Sequence, residues 1–230
     1  MEQIFQELWQ AAKPFYVKGR AYDVDHIEWM IKMADEVTEG IATRRDILMP
    51  LIILHDVGYA ALKERNPNPK DPRSKIAHMK EGKRIARALL RNIGYNKHCS
   101  KLISLYIGQH DRWVLGDNAL YLKNIELALL NDLDFLWSLS SKKIVCLQSS
   151  AMKVPPKRAI ELWAQDEKIT SRPFCCGATL KLFMHLIEKR RKDFSSISSN
   201  TDCHQEACQN KQGCPSRETR AGERAEAGGK

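Results

Sequence analysis

Apolar residues recur at spacings of three and four along most of the chain, and no run alternates apolar and polar positions between turn signals. The pattern predicts an all-α protein. Helices are expected over about 2–12, 23–39, 43–57, 74–92, 96–109, 120–139, 141–152, 156–168 and 177–194. On the second, Ile27, Met30, Ile31, Ala34 and Val37 share one face. Pro14 is expected to end the first helix, Thr43 to cap the third, Ser74 to cap the fourth, and Gly58 and Gly94 to act as C-terminal stops. Between Arg65 and Pro72, three prolines exclude a helix and predict a loop, either a specificity lid or a plain connector. The last helix closes on Lys189-Arg190-Arg191-Lys192, cations that suit a helix C-terminus.

After Phe194 no apolar face can be drawn, and Ser, Gly, Gln, Arg and Glu dominate. Residues 1–194 are therefore expected to form one helical domain and residues 195–230 a disordered tail. At 43% hydrophobic and 28% charged residues the composition is that of a globular protein. No stretch approaches the ~18 consecutive apolar residues of a membrane span, and the first residues lack the features of a signal peptide. The expectation is a cytoplasmic protein without a membrane partner. The tail's five basic and five acidic side chains cancel, so the formal charge of +9 belongs to the helical body. Such a body suits a phosphorylated ligand. Nucleic acid ranks lowest as a partner, since no recognition motif or aromatic-basic platform accompanies the charge. Cys99, Cys146, Cys175 and Cys176 read as small buried thiols in a reducing compartment, whereas Cys203, Cys208 and Cys214, near His204, match no C-x-x-C zinc pairing.

Seven consecutive apolar residues, 47–53, lead into Leu54-His55-Asp56-Val57-Gly58. A single polar residue in such a place is accounted for by a hydrogen-bonded core histidine. Here His26, His78, His110 and Asp134 also fall on or at the end of apolar helical faces. Burying each of them unpaired would cost about 1–3 kcal/mol, and a metal ion removes that cost by taking imidazole nitrogens and carboxylate oxygens together. Asp132 lies about 200° around its helix from Asp134 and is expected to support a ligand or to face solvent. His98 and His185 lack such company and read as structural or surface residues.

The order His, His-Asp, Asp on helices resembles the HD-domain superfamily of metal-dependent phosphohydrolases. The likeness runs through Asp25-His26, Leu54-His55-Asp56-Val57-Gly58 and Asn131-Asp132-Leu133-Asp134-Phe135-Leu136, over residues 22–138. It implies an HD-type helical bundle with metal ligands at His26, His55, Asp56 and Asp134. It further implies one or two divalent ions per chain (Mn, Fe, Co, Ni or Mg) and hydrolysis of a nucleotide or other small phosphoester by a metal-activated water, with Asp56 in a catalytic role. Two-metal branches carry two further histidines, and His78 and His110 look like them, although Asp111 stands where some relatives have another histidine. Glu81, one turn from His78, is a candidate proton acceptor or ligand partner, with an exposed salt bridge as its plainer alternative. Lys75, Lys80, Lys83, Arg84 and Arg112 are candidate phosphate contacts, of which one or two are expected to serve. The same resemblance admits a di-iron oxygenase, or a non-catalytic module that binds a nucleotide in an HD pocket. Substrate identity and oligomeric state are not legible in the sequence.

Overall fold

The structure is a computed structural model describing residues 1–20, 22–62, 71–117, 119–165 and 174–195. The expected tail from residue 196 on, with its three cysteines, and residues 63–70 of the proline-rich loop lie outside the described residues. Among those described there is no strand. The described residues form nine α-helices: α1 (Gln3–Lys18), α2 (Asp23–Val37), α3 (Arg45–Leu54), α4 (Pro72–Asn92), α5 (Lys97–Ile107), α6 (Ile125–Trp137), α7 (Lys142–Met152), α8 (Pro156–Gln165) and α9 (Gly177–Ser195). Short 3₁₀ turns cover Val57–Ala61, Arg112–Leu115 and Tyr121–Lys123. The all-α class expected from the periodicity is what is found. No helix among the described residues is long and apolar enough to cross a membrane.

Several boundaries differ from expectation, each for a local reason. Helix α1 passes through Pro14 to Lys18. Pro14 and Gln10 are both exposed, so the carbonyl that loses its donor faces solvent, while the last turn is anchored by the buried Tyr16, whose hydroxyl donates to Ile53 O at 2.7 Å. Ser74 does not cap α4. Asp71 does, accepting from Arg73 N at 3.1 Å and Ser74 N at 3.2 Å, and Pro72 takes the first helical position, where a missing N–H costs nothing. Helix α3 begins at Arg45 without a side-chain cap from Thr43 and ends at Leu54, so Val57 and Gly58 belong to a separate 3₁₀ turn.

Every residue of α3 from Ile47 to Leu54 is buried, as its apolar run requires. It is the axis of the larger hydrophobic core, packed by α1, α2, α5 and α6. A second, smaller core joins the end of α6 to α7, α8 and α9 through Leu136, Val145, Ile160, Trp163, Phe183 and Ile187. Asp132, half a turn from Asp134, is fully buried and ties α6 to the start of α9. It accepts from Tyr121 Oη, Cys175 N and Thr179 Oγ1, each at 2.8 Å. Its role is therefore internal cross-linking, not exposure to solvent.

The turn Val57–Ala61 and α4 make the most extensive contact between described elements. Gly58 makes this possible, since a Cβ there would stand 1.9 Å from His78 O and 2.6 Å from Gly82 N. Gly82 faces the same turn less tightly, where a Cβ would stand 3.2 Å from the Ile107 side chain and 3.4 Å from His55 O. Gly58 is thus the residue that brings the His55-Asp56 pair against His78.

Of the cysteines, Cys99 is free and buried, and Cys175 and Cys176 are free and half-buried. Cys146 departs from the expected thiol. It is disulfide-bonded.

Candidate metal centre

Five helices, α2 to α6, deliver six side chains to one place. His26 lies in the first turn of α2 and His78 in the second turn of α4. His55 is the C-cap of α3, still helical with its N–H on Leu51 O at 2.9 Å, while Asp56 leaves the helix at φ −102°. That break lets two consecutive side chains face the same cluster. His110 follows α5, and Asp134 faces inward from α6. All four imidazoles are at most 2% exposed and Asp56 is 6% exposed, whereas the Asp134 side chain keeps 30% of its surface at the edge of a cleft.

The donor atoms form two groups, His26–His55–Asp134 and Asp56–His78–His110, overlapped by a third, Asp23–His26–Asp56; all are buried except the half-buried Asp134. In the first, Asp134 Oδ1 stands 3.1 Å from His26 Nε2 and 4.0 Å from His55 Nε2. In the second, Asp56 Oδ1 is 3.4 Å from both His78 Nε2 and His110 Nε2, which are 3.2 Å from each other. The other oxygen of Asp56, Oδ2, is 3.5 Å from His55 Nε2, so one carboxylate links the two groups. Donors sharing an ion at about 2.1 Å stand about 3–4 Å apart in tetrahedral or octahedral arrangements, and these separations match.

Hydrogen bonding fixes the ring orientations. Nδ1 faces Ile52 O at 3.0 Å in His55, Ser74 O at 3.2 Å in His78 and Ile107 O at 2.8 Å in His110. A carbonyl can only accept, so each Nδ1 carries the proton, and in the neutral ring Nε2 presents a lone pair to the cluster. The lone pairs of His78 and His110 then face each other and need a proton or a cation between them. Nδ1 of His26 and Nε2 of His55 are buried without a hydrogen-bond partner, and His26 Nε2 has the Asp134 carboxylate beside it. A metal ion would satisfy one nitrogen of each ring, Nε2 of His55 and the cluster-facing Nε2 of His26. Burial lowers the His55 pKa to about 4, so this ring is neutral at physiological pH. Burial also opposes charge on His110, but its hydrogen bond to Asp56 and the nearby Asp111 carboxylate win, and its pKa is raised. For Asp56, burial is outweighed by His55 and Arg20, and its pKa lies well below the usual carboxylate range.

Three flanking groups were not singled out in the sequence. Arg20, 7% exposed, donates from Nε to Asp23 Oδ1 at 3.0 Å and Oδ2 at 2.9 Å, and from Nη2 to Asp56 Oδ2. Asp23 is fully buried, and burial raises its pKa to about 6 despite Arg20. Tyr59 is sandwiched, its ring stacked on His78 at 4.2 Å with the Arg20 guanidinium 3.7 Å from its centroid. The signal for the first two was a run of three-residue steps, Arg20, Asp23, His26, which carries one ladder of side chains into the cluster. Asp111 is 5% exposed and stands 3.5 Å from His78 Nε2 and 2.7 Å from Lys75 Nζ.

Not every candidate joins the cluster. Glu81 is half-buried on a groove along the outer face of α4 with Lys80, Lys83 and Arg84, and it accepts from Arg84 Nε at 2.9 Å. The plainer reading of Glu81, a salt bridge, is the one seen. Arg112 pairs loosely with Asp117 at 3.4 Å. Among the lysines and arginines named from the sequence, Lys75 alone lines the cleft beside the cluster. His98 and His185 are exposed, as expected.

That cleft, of about 470 Å³, exposes His26, Asp56, Asp111 and Asp134 at one end together with Arg20 and Lys75. Fold and site together define an all-helical protein with a buried His/Asp donor cluster open to a substrate-sized cleft. Compared with family models, curated proteins and solved structures, the chain matches none.

Proposed function

We propose that the protein is a metal-dependent phosphohydrolase of the HD type, acting on a nucleotide or other small phosphoester. The observation that supports this most is the pair of donor groups joined by Asp56, with unpaired ring nitrogens in the first and facing lone pairs in the second. His26, His55, Asp56 and Asp134 would hold one divalent ion and Asp56, His78 and His110 a second. Such ions lower the pKa of a bound water and draw charge from a phosphoryl oxygen.

The chain's own residues provide the rest. The carboxylates engage Nε and Nη2 of Arg20, whose guanidinium lines the cleft, where it would meet a phosphate oxygen. Lys75, 14% exposed at its side chain, offers a second cation and is oriented by Asp111. Tyr59 and Arg20 hold the His78 ring from behind. Two cations beside the donors favour a phosphorylated substrate, and a chain retaining all six donors fits catalysis better than binding alone.

The test is metal analysis of protein purified without chelator, followed by a phosphoester panel. His55→Ala and Asp56→Ala should each lose metal and at least about 100-fold in turnover while keeping the helical circular-dichroism signal. Full turnover in either variant, or in chelator-treated protein, contradicts the proposal. An iron pair that consumes dioxygen without releasing phosphate would transfer the same site to oxygenase chemistry.

A further inference from the structure

Beyond its donor end the cleft is far larger than a phosphate requires. Its volume, about 470 Å³, lies in the range of sites that enclose a whole small molecule. The remaining wall is mostly aromatic and aliphatic, built from Tyr22, Trp137, Leu147, Met152 and Trp163. Tyr22 is 37% exposed and Leu147 43%, so apolar surface is kept open at this cleft instead of being packed away.

Trp137 is where the two halves meet. Its ring lies 4.3 Å from the His26 ring, at 31°, and 5.7 Å from the Tyr22 ring, at 25°. A phosphate held at the donor cluster would therefore place the alcohol it esterifies along these ring faces. The wall is not wholly apolar. Gln148 on α7 lines it, and so does Ser138, whose hydroxyl is buried without a hydrogen-bond partner. A purely hydrocarbon alcohol would dry Gln148 without pairing it, at a cost of about 1–3 kcal/mol, and would leave the Ser138 hydroxyl unpaired. A planar ring with donors and acceptors on its edge would stack on Trp137 and pair with them.

We propose, resting on the phosphohydrolase reading, that the cleft selects phosphoesters whose alcohol carries a nucleobase, with Trp137 and Tyr22 as its stacking surface and Gln148 and Ser138 facing its polar edge. Trp137 and Gln148 are then the residues that set specificity. Stacking of a base on an aromatic side chain is worth a factor of about ten or more in binding. A sugar phosphate lacking the base forgoes it, and an alkyl phosphate leaves the polar edge unpaired.

The experiment uses the full chain loaded with manganese and offers the four nucleoside 5′-monophosphates, ribose 5-phosphate and octyl phosphate. Binding is read by quenching of tryptophan fluorescence and turnover by phosphate release, in wild type, Trp137→Leu and Gln148→Leu, with metal content measured in each. The expected result is that nucleotides bind at least about tenfold more tightly than ribose 5-phosphate and have the higher kcat/KM. Trp137→Leu should shrink that preference for all four bases through KM, and Gln148→Leu should reorder the bases. Equal binding of nucleotides and ribose 5-phosphate, or a preference for octyl phosphate, overturns the inference whether or not phosphate is released. Base-dependent binding without hydrolysis of any ester would instead contradict the phosphohydrolase reading and leave this one standing.

Discussion

Arg20 shows what one residue contributes to the centre. Its guanidinium is the cation closest to Asp56 and Asp23, and both carboxylates are buried. Arg20→Gln leaves Asp23 without its guanidinium partner and Asp56 with only the histidines beside it, which in metal-free protein should cost about 3–5 kcal/mol in denaturant unfolding. Saturating manganese should recover part of that loss, because an ion on Asp56 replaces one of the two missing contacts. His55 gives a separate pH signature. Its folded pKa, about 4, lies below the unfolded value of about 6.5, so the unfolded chain takes up the proton first. The contribution is fully present above pH ~6.5 and is lost as pH falls toward 4. Asp23, raised to about 6, acts oppositely, with stability declining as pH rises from about 4 to 6. In chelated protein, His55→Gln should therefore flatten the acid-side loss that wild type shows between pH 6.5 and 4. An unchanged profile would mean that the His55 ring is charged in the folded state. The histidines were legible in the sequence because an imidazole on an apolar face stands out against its neighbours. Arg20 and Tyr59 were not, since an arginine between helices and a tyrosine in a turn look ordinary until tertiary packing brings them to Asp56 and His78.

Among the elements, the decisive contact is the turn Val57–Ala61 against α4. Gly58 reads in sequence as a helix stop, yet its φ is not positive, and what requires glycine is the backbone of His78 and Gly82. Gly58→Ala must push α4 away from His55-Asp56. It should cost roughly 3 kcal/mol or more by chemical denaturation. It should also weaken metal binding, since His78 moves with α4 while Asp56 does not. A variant with native stability and native metal affinity would show that the two elements yield without consequence. The helices were legible because each needs one apolar stripe. Their ends were not, because Pro14 is tolerated on an exposed face and Asp71 outcompetes Ser74 as a cap.

At the scale of the whole molecule, two hydrophobic cores meet along α6, and the cleft opens where they meet. The larger core carries the donors on or at the ends of α2, α3, α4, α5 and α6, and the smaller one supplies the wall on α7 and α8. Each donor could be assigned to a helix or its end from sequence periodicity. The cleft could not, because its aromatic wall brings Tyr22 beside Trp137 and Trp163, far apart along the chain. If ions bind this cluster only in the folded state, they stabilise it by mass action. Manganese at about 100 times its dissociation constant should add about 2.7 kcal/mol per site and raise Tm. His98→Ala, at an exposed position on α5, should leave that increment unchanged, whereas His26→Ala should reduce it.

The central claim is that Asp56 joins two ion sites, and counting ions tests it most directly. Protein equilibrated with saturating manganese, then passed through a desalting column, should retain about two ions per chain. The His78→Ala, His110→Ala double variant should retain about one and lose most of its turnover, and Asp56→Ala should hold neither tightly. One ion per wild-type chain, unchanged in the double variant, would contradict the account and leave His78 and His110 as groups that contact phosphate or carry protons beside a single metal.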